Sequence, residues 1–95
     1  MSLNKNKRIN KIRKKLDILD NKLLGLIKKR TNLVSKILKQ KRYKKQIVDK
    51  KRIKKILKNI RNKSIKKKID PIITYKIWSS MIKAFIDYEY RNFKN

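Results

Sequence analysis

The chain has 95 residues and carries 32 Lys or Arg against six Asp or Glu, a formal charge of +26 at neutral pH. It contains no Cys and no His, which excludes disulfides, thiol nucleophiles, imidazole acid–base chemistry and the usual zinc ligands. Its acids do not cluster and Glu89 is its single Glu, a pattern that argues against a paired-carboxylate hydrolase or a carboxylate metal site. The hydrophobic fraction is 39%, mostly Ile and Leu, so the chain is not a disordered polycation. With one Gly, one Pro and no hairpin signals, it reads as all-α, a single domain over residues 1–95.

Residues 1–6 are polar and are expected to fray, and the first helix is expected from Lys7 to Arg42. Apolar residues recur at Ile12, Leu16, Leu19, Leu23 and Leu26, then at Leu33 and Ile37, alternating steps of four and three that mark one face of a helix. The stripe is interrupted at Arg30 and Lys41, where the alternation calls for apolar side chains. Unpaired charge is costly in a core, so these ends either splay into solvent or meet an anion. A helix of that span is on the order of 50 Å long, too long for the rest of the chain to cover. A second copy lying against it is the expected remedy, and the chain is read as a homodimer. Gly25, inside this helix, is explained by close approach of a neighbouring helix or by drift.

Tyr43 to Val48 reads as a connection. Asp49 stands where an N-cap belongs, and Ile53, Ile56, Leu57 and Ile60 form one face of a second helix that fades near Lys66 to Lys68. Asp70-Pro71 is a strong start signal for a third helix, whose stripe takes in Ile77 or Trp78, Met81, Ile82 and Phe85 and continues to Glu89. The basic N-terminus has no apolar run behind it and no stretch is long enough to span a bilayer, so a soluble cytoplasmic protein without a signal peptide is expected.

Four polar residues therefore lie on or beside apolar faces: Arg30, Lys41, Arg52 and Glu89. Arg13 lies one position off the main stripe. Taken singly, a flanking Arg or Lys usually snorkels to water, and Glu89 can pair with a Lys or with Arg91 at the surface. Lys outnumbers Arg 25 to 7, so each Arg is a candidate for work an ammonium does poorly, such as forked binding of a carboxylate. Taken together, three Arg and a Lys inside a helical bundle read as a pocket for a small polyanion.

These residues resemble the all-helical chorismate mutases. That family's first helix carries an Arg, an acidic segment, an L-L-x-L run, a second Arg and a later Lys. Here these are Arg13, Leu16 to Asp20, Leu23-Leu24-Gly25-Leu26, Arg30 and Lys41. Val48 to Arg52 is similar to the start of the family's second helix, and Trp78 to Tyr90 to its last. The resemblance implies three helices per chain in an intertwined homodimeric bundle, and rearrangement of chorismate to prephenate without metal or cofactor. It implies that Arg30 and Arg52 bind the substrate's carboxylates and that Arg13 reaches in from the other subunit. Lys41 then donates to the ether oxygen of the breaking bond. Glu89 stands where many members have Gln, the second donor to that oxygen. Asp49, Ile53 and Phe85 complete the substrate-binding set.

Two positions depart from the common pattern. Ile53 replaces the Glu that holds the substrate hydroxyl in many mutases, leaving that role to the neighbourhood of Asp49; an apolar residue here is similar to the isochorismate-pyruvate lyase branch, as is the aromatic-rich ending. Glu89 donates a hydrogen bond only as the protonated acid. Cations favour its ionised form, whereas burial and a bound dianion favour the acid. The alternatives are an isochorismate-pyruvate lyase or, outside enzymes, a basic nucleic-acid-binding helical protein. Charge of this size makes nonspecific nucleic-acid binding expected at low salt.

Overall fold

The computed structural model describes residues 2–94, with side chains from Asn4 onward. Among these residues the architecture is all-helical: α1 spans Ser2–Gln40, α2 Lys50–Lys66 and α3 Pro71–Asn92, with a single 3-10 turn at Lys44–Gln46 between the first two. No helix is long and apolar enough to cross a membrane among the described residues. The chain divides into two units after Leu33.

The first unit is the greater part of α1. The helix begins at Ser2, so residues 2–6 of the segment expected to fray are helical, Met1 lying outside the described residues, and it stops at Gln40, two residues before the expected Arg42. Lys, Asn and Leu are tolerable helix formers, which is enough once a long helix is nucleated. The apolar stripe is present but uncovered: Ile12, Leu16, Leu19, Leu23 and Leu26 are each more than half exposed. Around Gly25 an added Cβ meets nothing within 4 Å, so no neighbour within the chain demands a glycine there.

The second unit holds the last turns of α1 and the α2–α3 hairpin. Its buried apolar residues are Leu38, Ile47 and Ile82. Gln46 ties the connection down, its side-chain Oε1 accepting from the backbone N–H of Arg42 at 2.7 Å and of Tyr43 at 2.9 Å. Asp49 caps α2 by accepting from the Arg52 N–H at 3.0 Å, and Asp70 caps α3 by accepting from the Ile72 N–H at 2.9 Å with Pro71 in the first turn. Both caps stand where the sequence places them.

Helix α2 ends in a Schellman motif. The Ile69 N–H donates to the Ser64 carbonyl at 2.8 Å and the Lys68 N–H to that of Ile65 at 3.1 Å. The geometry puts Lys68 at φ 58°, a left-handed conformation that glycine adopts at lower cost. Just inside the elbow, buried Ser64 and Thr74 join the two helices through a hydroxyl–hydroxyl bond of 2.8 Å. Ser64 Oγ also donates to the Ile60 carbonyl at 2.6 Å. A hydroxyl has one proton, so Thr74 is the donor to Ser64, and its 3.3 Å contact with the Pro71 carbonyl is secondary. On α3 the inward stripe runs through Thr74, Trp78, Ile82, Phe85 and Glu89; Ile77, the alternative to Trp78, is 49% exposed.

Candidate functional site

Lys41 and Glu89 are brought together from opposite ends of the second unit. Lys41 follows the last turn of α1, where its N–H caps the Leu38 carbonyl at 3.1 Å. Glu89 lies one turn before the end of α3. Lys41 Nζ donates to Glu89 Oε1 at 3.0 Å, and the two side chains are 18% and 8% exposed. A carboxylate so deeply enclosed needs a partner, and Lys41 supplies the charge-assisted one. An ammonium has three donors. One goes to Glu89, and the others are available to a third group.

Lys41 also borders two cavities. One, of about 560 Å³, is lined by Lys41, Lys45, Asp49, Lys50 and Lys51 together with Gln46 and Val48. The other, of about 320 Å³, lies against Ser35, Leu38, Tyr88 and Asn92 as well as Lys41. The first is ringed by ammonium groups with a single carboxylate, an arrangement that attracts a small anion. It also opens where the connection delivers the N-terminus of α2, whose partial positive charge adds to the field.

The other expected residues are placed as follows. Asp49 lines the larger cavity, and its side chain is engaged by the Arg52 backbone as the helix cap. Arg52 is exposed on the first turn of α2, and Ile53 beside it is half-buried. Phe85 is half-buried on α3, its ring edge-on to Tyr88 at 6.4 Å between centroids. Arg13 and Arg30 belong to the first unit; Arg13 is exposed and Arg30 half-buried. Along one helix they are seventeen residues apart, about 25 Å at the usual rise. Among the described residues no group of three or more acids gathers where it could hold a metal ion.

Lys45, Lys51 and Tyr88 at the cavity walls were not singled out by the sequence. The two lysines are indistinguishable there from the rest of the lysine background. Gln46 does carry a signal, since its spacing of three from Tyr43 is that of a capping residue reaching back to the start of a turn.

A family model described as chorismate mutase type II matches residues 12–90. No curated protein and no solved structure matches the chain.

Proposed function

The chain belongs to the chorismate mutase type II family, and on that premise we propose that it is itself a chorismate mutase, rearranging chorismate to prephenate in a basic pocket shared between two copies of one helical domain. The observation that carries this reading is the Lys41–Glu89 pair: Lys41 lines a cation-rich cavity, and its Nζ lies 3.0 Å from the buried acid Glu89.

The reaction is a pericyclic rearrangement within one molecule and asks for no nucleophile. The protein has to hold the substrate in its compact reactive conformer and stabilise negative charge on the ether oxygen as the C–O bond breaks. Lys41 is the donor to that oxygen. Glu89 holds the Lys41 ammonium in place and is the candidate second donor to that oxygen, a role only its neutral acid form can fill. Arg30 and Arg52 take the two carboxylates. Ile53 offers nothing to the substrate hydroxyl, which leaves Asp49, already on the cavity wall, as its acceptor.

Arg13 acts from the second copy. A separation of about 25 Å from Arg30 along a single helix is more than a small dianion can bridge, so one substrate cannot touch both on the same chain. The exposed stripe of α1 supports the same assembly, since an apolar face of that length is stabilised only when covered. The dimer is then an intertwined bundle with two pockets.

The test is to incubate the purified protein with chorismate and isochorismate in parallel. Prephenate from chorismate is the expected product. Pyruvate released from isochorismate, with no prephenate from chorismate, would place the chain with the lyases instead.

A further inference from the structure

The positive charge is not spread evenly over the second unit. Helix α2 has nine Lys or Arg among its 17 residues and no acid, whereas α3 has three among 22 and two acids beside them. A uniform lysine-rich background does not produce that contrast between two helices packed on one another. The charge is also sorted around α2. Ile53, Ile56, Leu57 and Ile60 are half-buried, and on the opposite side Lys51, Lys54, Lys55 and Lys58 are exposed at spacings of three and four, which place them on one face. Neighbours at that spacing repel, and no carboxylate on the helix relieves them. Lys50, Lys51 and Arg52 in the first turn are further opposed by the helix dipole.

We propose that this outer face of α2 is a docking surface for the phosphate backbone of a nucleic acid, separate from the Lys41–Glu89 pocket. The four lysines of this face, Lys51 to Lys58, span about 10 Å, with Lys66 two turns further on, a spread that suits successive phosphates rather than one small anion. The face holds Lys, Asn62 and the exposed Ile65 but no aromatic side chain, so it offers nothing for bases to stack on and binds without regard to sequence. A lipid surface is the poorer fit. Interfacial helices insert an apolar face beside their cations, and the apolar face of α2 is occupied by α3.

The experiment measures binding of the full chain to a fluorescent 20-base-pair duplex across a salt series. Two charge-matched variants are compared: Lys54→Gln/Lys55→Gln/Lys58→Gln on the α2 face, and Lys76→Gln/Lys83→Gln/Lys94→Gln elsewhere in the same unit. Circular dichroism establishes that both remain helical. The α2 variant is expected to lower the slope of log K against log salt by about 2 to 3, and the control by less than one. Equal loss in both variants, no binding of the wild-type chain at 0.15 M salt, or binding to anionic phosphatidylserine vesicles without binding to the duplex would each overturn the proposal.

Discussion

Lys41 and Glu89 are separated by 48 residues and meet at 3.0 Å in a salt bridge. In a chain with 32 cations and six acids, most cations must go without a carboxylate, and this acid is the most enclosed of those described. The pair therefore marks a place where the fold uses charge rather than merely displaying it at the surface.

The first consequence concerns the side chain at position 89. In the proposed mechanism Glu89 donates to the ether oxygen, which only the neutral acid can do. Glu89→Gln keeps the shape and always carries a donor, so it is expected to turn over chorismate at least as fast as wild type, whereas Glu89→Met, which carries none, is expected to lose kcat by about 10-fold or more. Equal kcat in the Gln and Met variants would remove Glu89 from the mechanism.

The proposed sharing of the pocket between two copies predicts complementation. Arg13→Ala and Lys41→Met are each expected to be inactive alone. Unfolded together in equal amounts and refolded, they form mixed dimers in which one pocket takes Arg13 and Lys41 from the intact sources. Half the dimers are mixed and each regains one of two pockets, so about a quarter of wild-type turnover should return. A mixture as inactive as its parts, or an Arg13→Ala protein active by itself, would contradict the sharing of Arg13 between copies.

Lys68 holds the left-handed position that closes α2. A side chain there costs about 1 kcal/mol relative to glycine. Lys68→Gly is expected to raise the melting temperature by several degrees, about 4–8 °C per kcal/mol for a domain of this size, with turnover unchanged. Thermal unfolding followed by circular dichroism measures it, and a lower melting temperature would mean that the Lys68 side chain contributes a contact.

The Ser64–Thr74 bond makes the opposite prediction at the same elbow. Thr74→Val keeps the shape and removes the proton donated to Ser64, at a cost of about 1 kcal/mol for a buried hydrogen bond. The midpoint of urea unfolding should fall at unchanged slope; no change would indicate that the contact with the Pro71 carbonyl and the bond to Ser64 contribute nothing net.

Much of this was legible before the fold was known, for definable reasons. Asp49 and Asp70-Pro71 are caps, and caps act over two or three residues, so neighbours in sequence suffice to read them. Arg30, Lys41 and Glu89 stood out because each breaks an apolar stripe, and all three are half-buried or buried. Periodicity alone did not single out the partner of Glu89 among 25 lysines; only the family resemblance set Lys41 and Glu89 against one oxygen, and their direct contact follows from the turn at Lys44–Gln46 between the end of α1 and the second helix. The start of α1 at Ser2 was missed because polar residues give no periodic signal when both faces of a helix lie in water. Ser64 and Thr74 carry no periodic signal either, since each looks like an ordinary hydroxyl until two helices press them together.

The central claim is that Lys41 stabilises the breaking C–O bond. It is tested most directly by the rate at which wild type and Lys41→Met convert chorismate to prephenate, measured with circular dichroism on the same samples. Methionine keeps the length of the side chain, and the double variant Lys41→Met/Glu89→Met avoids leaving a buried acid unpaired. Loss of kcat by about 10²–10³ or more, with helicity retained, is the predicted result. Retention of most of the activity by a folded Lys41→Met protein would contradict the account.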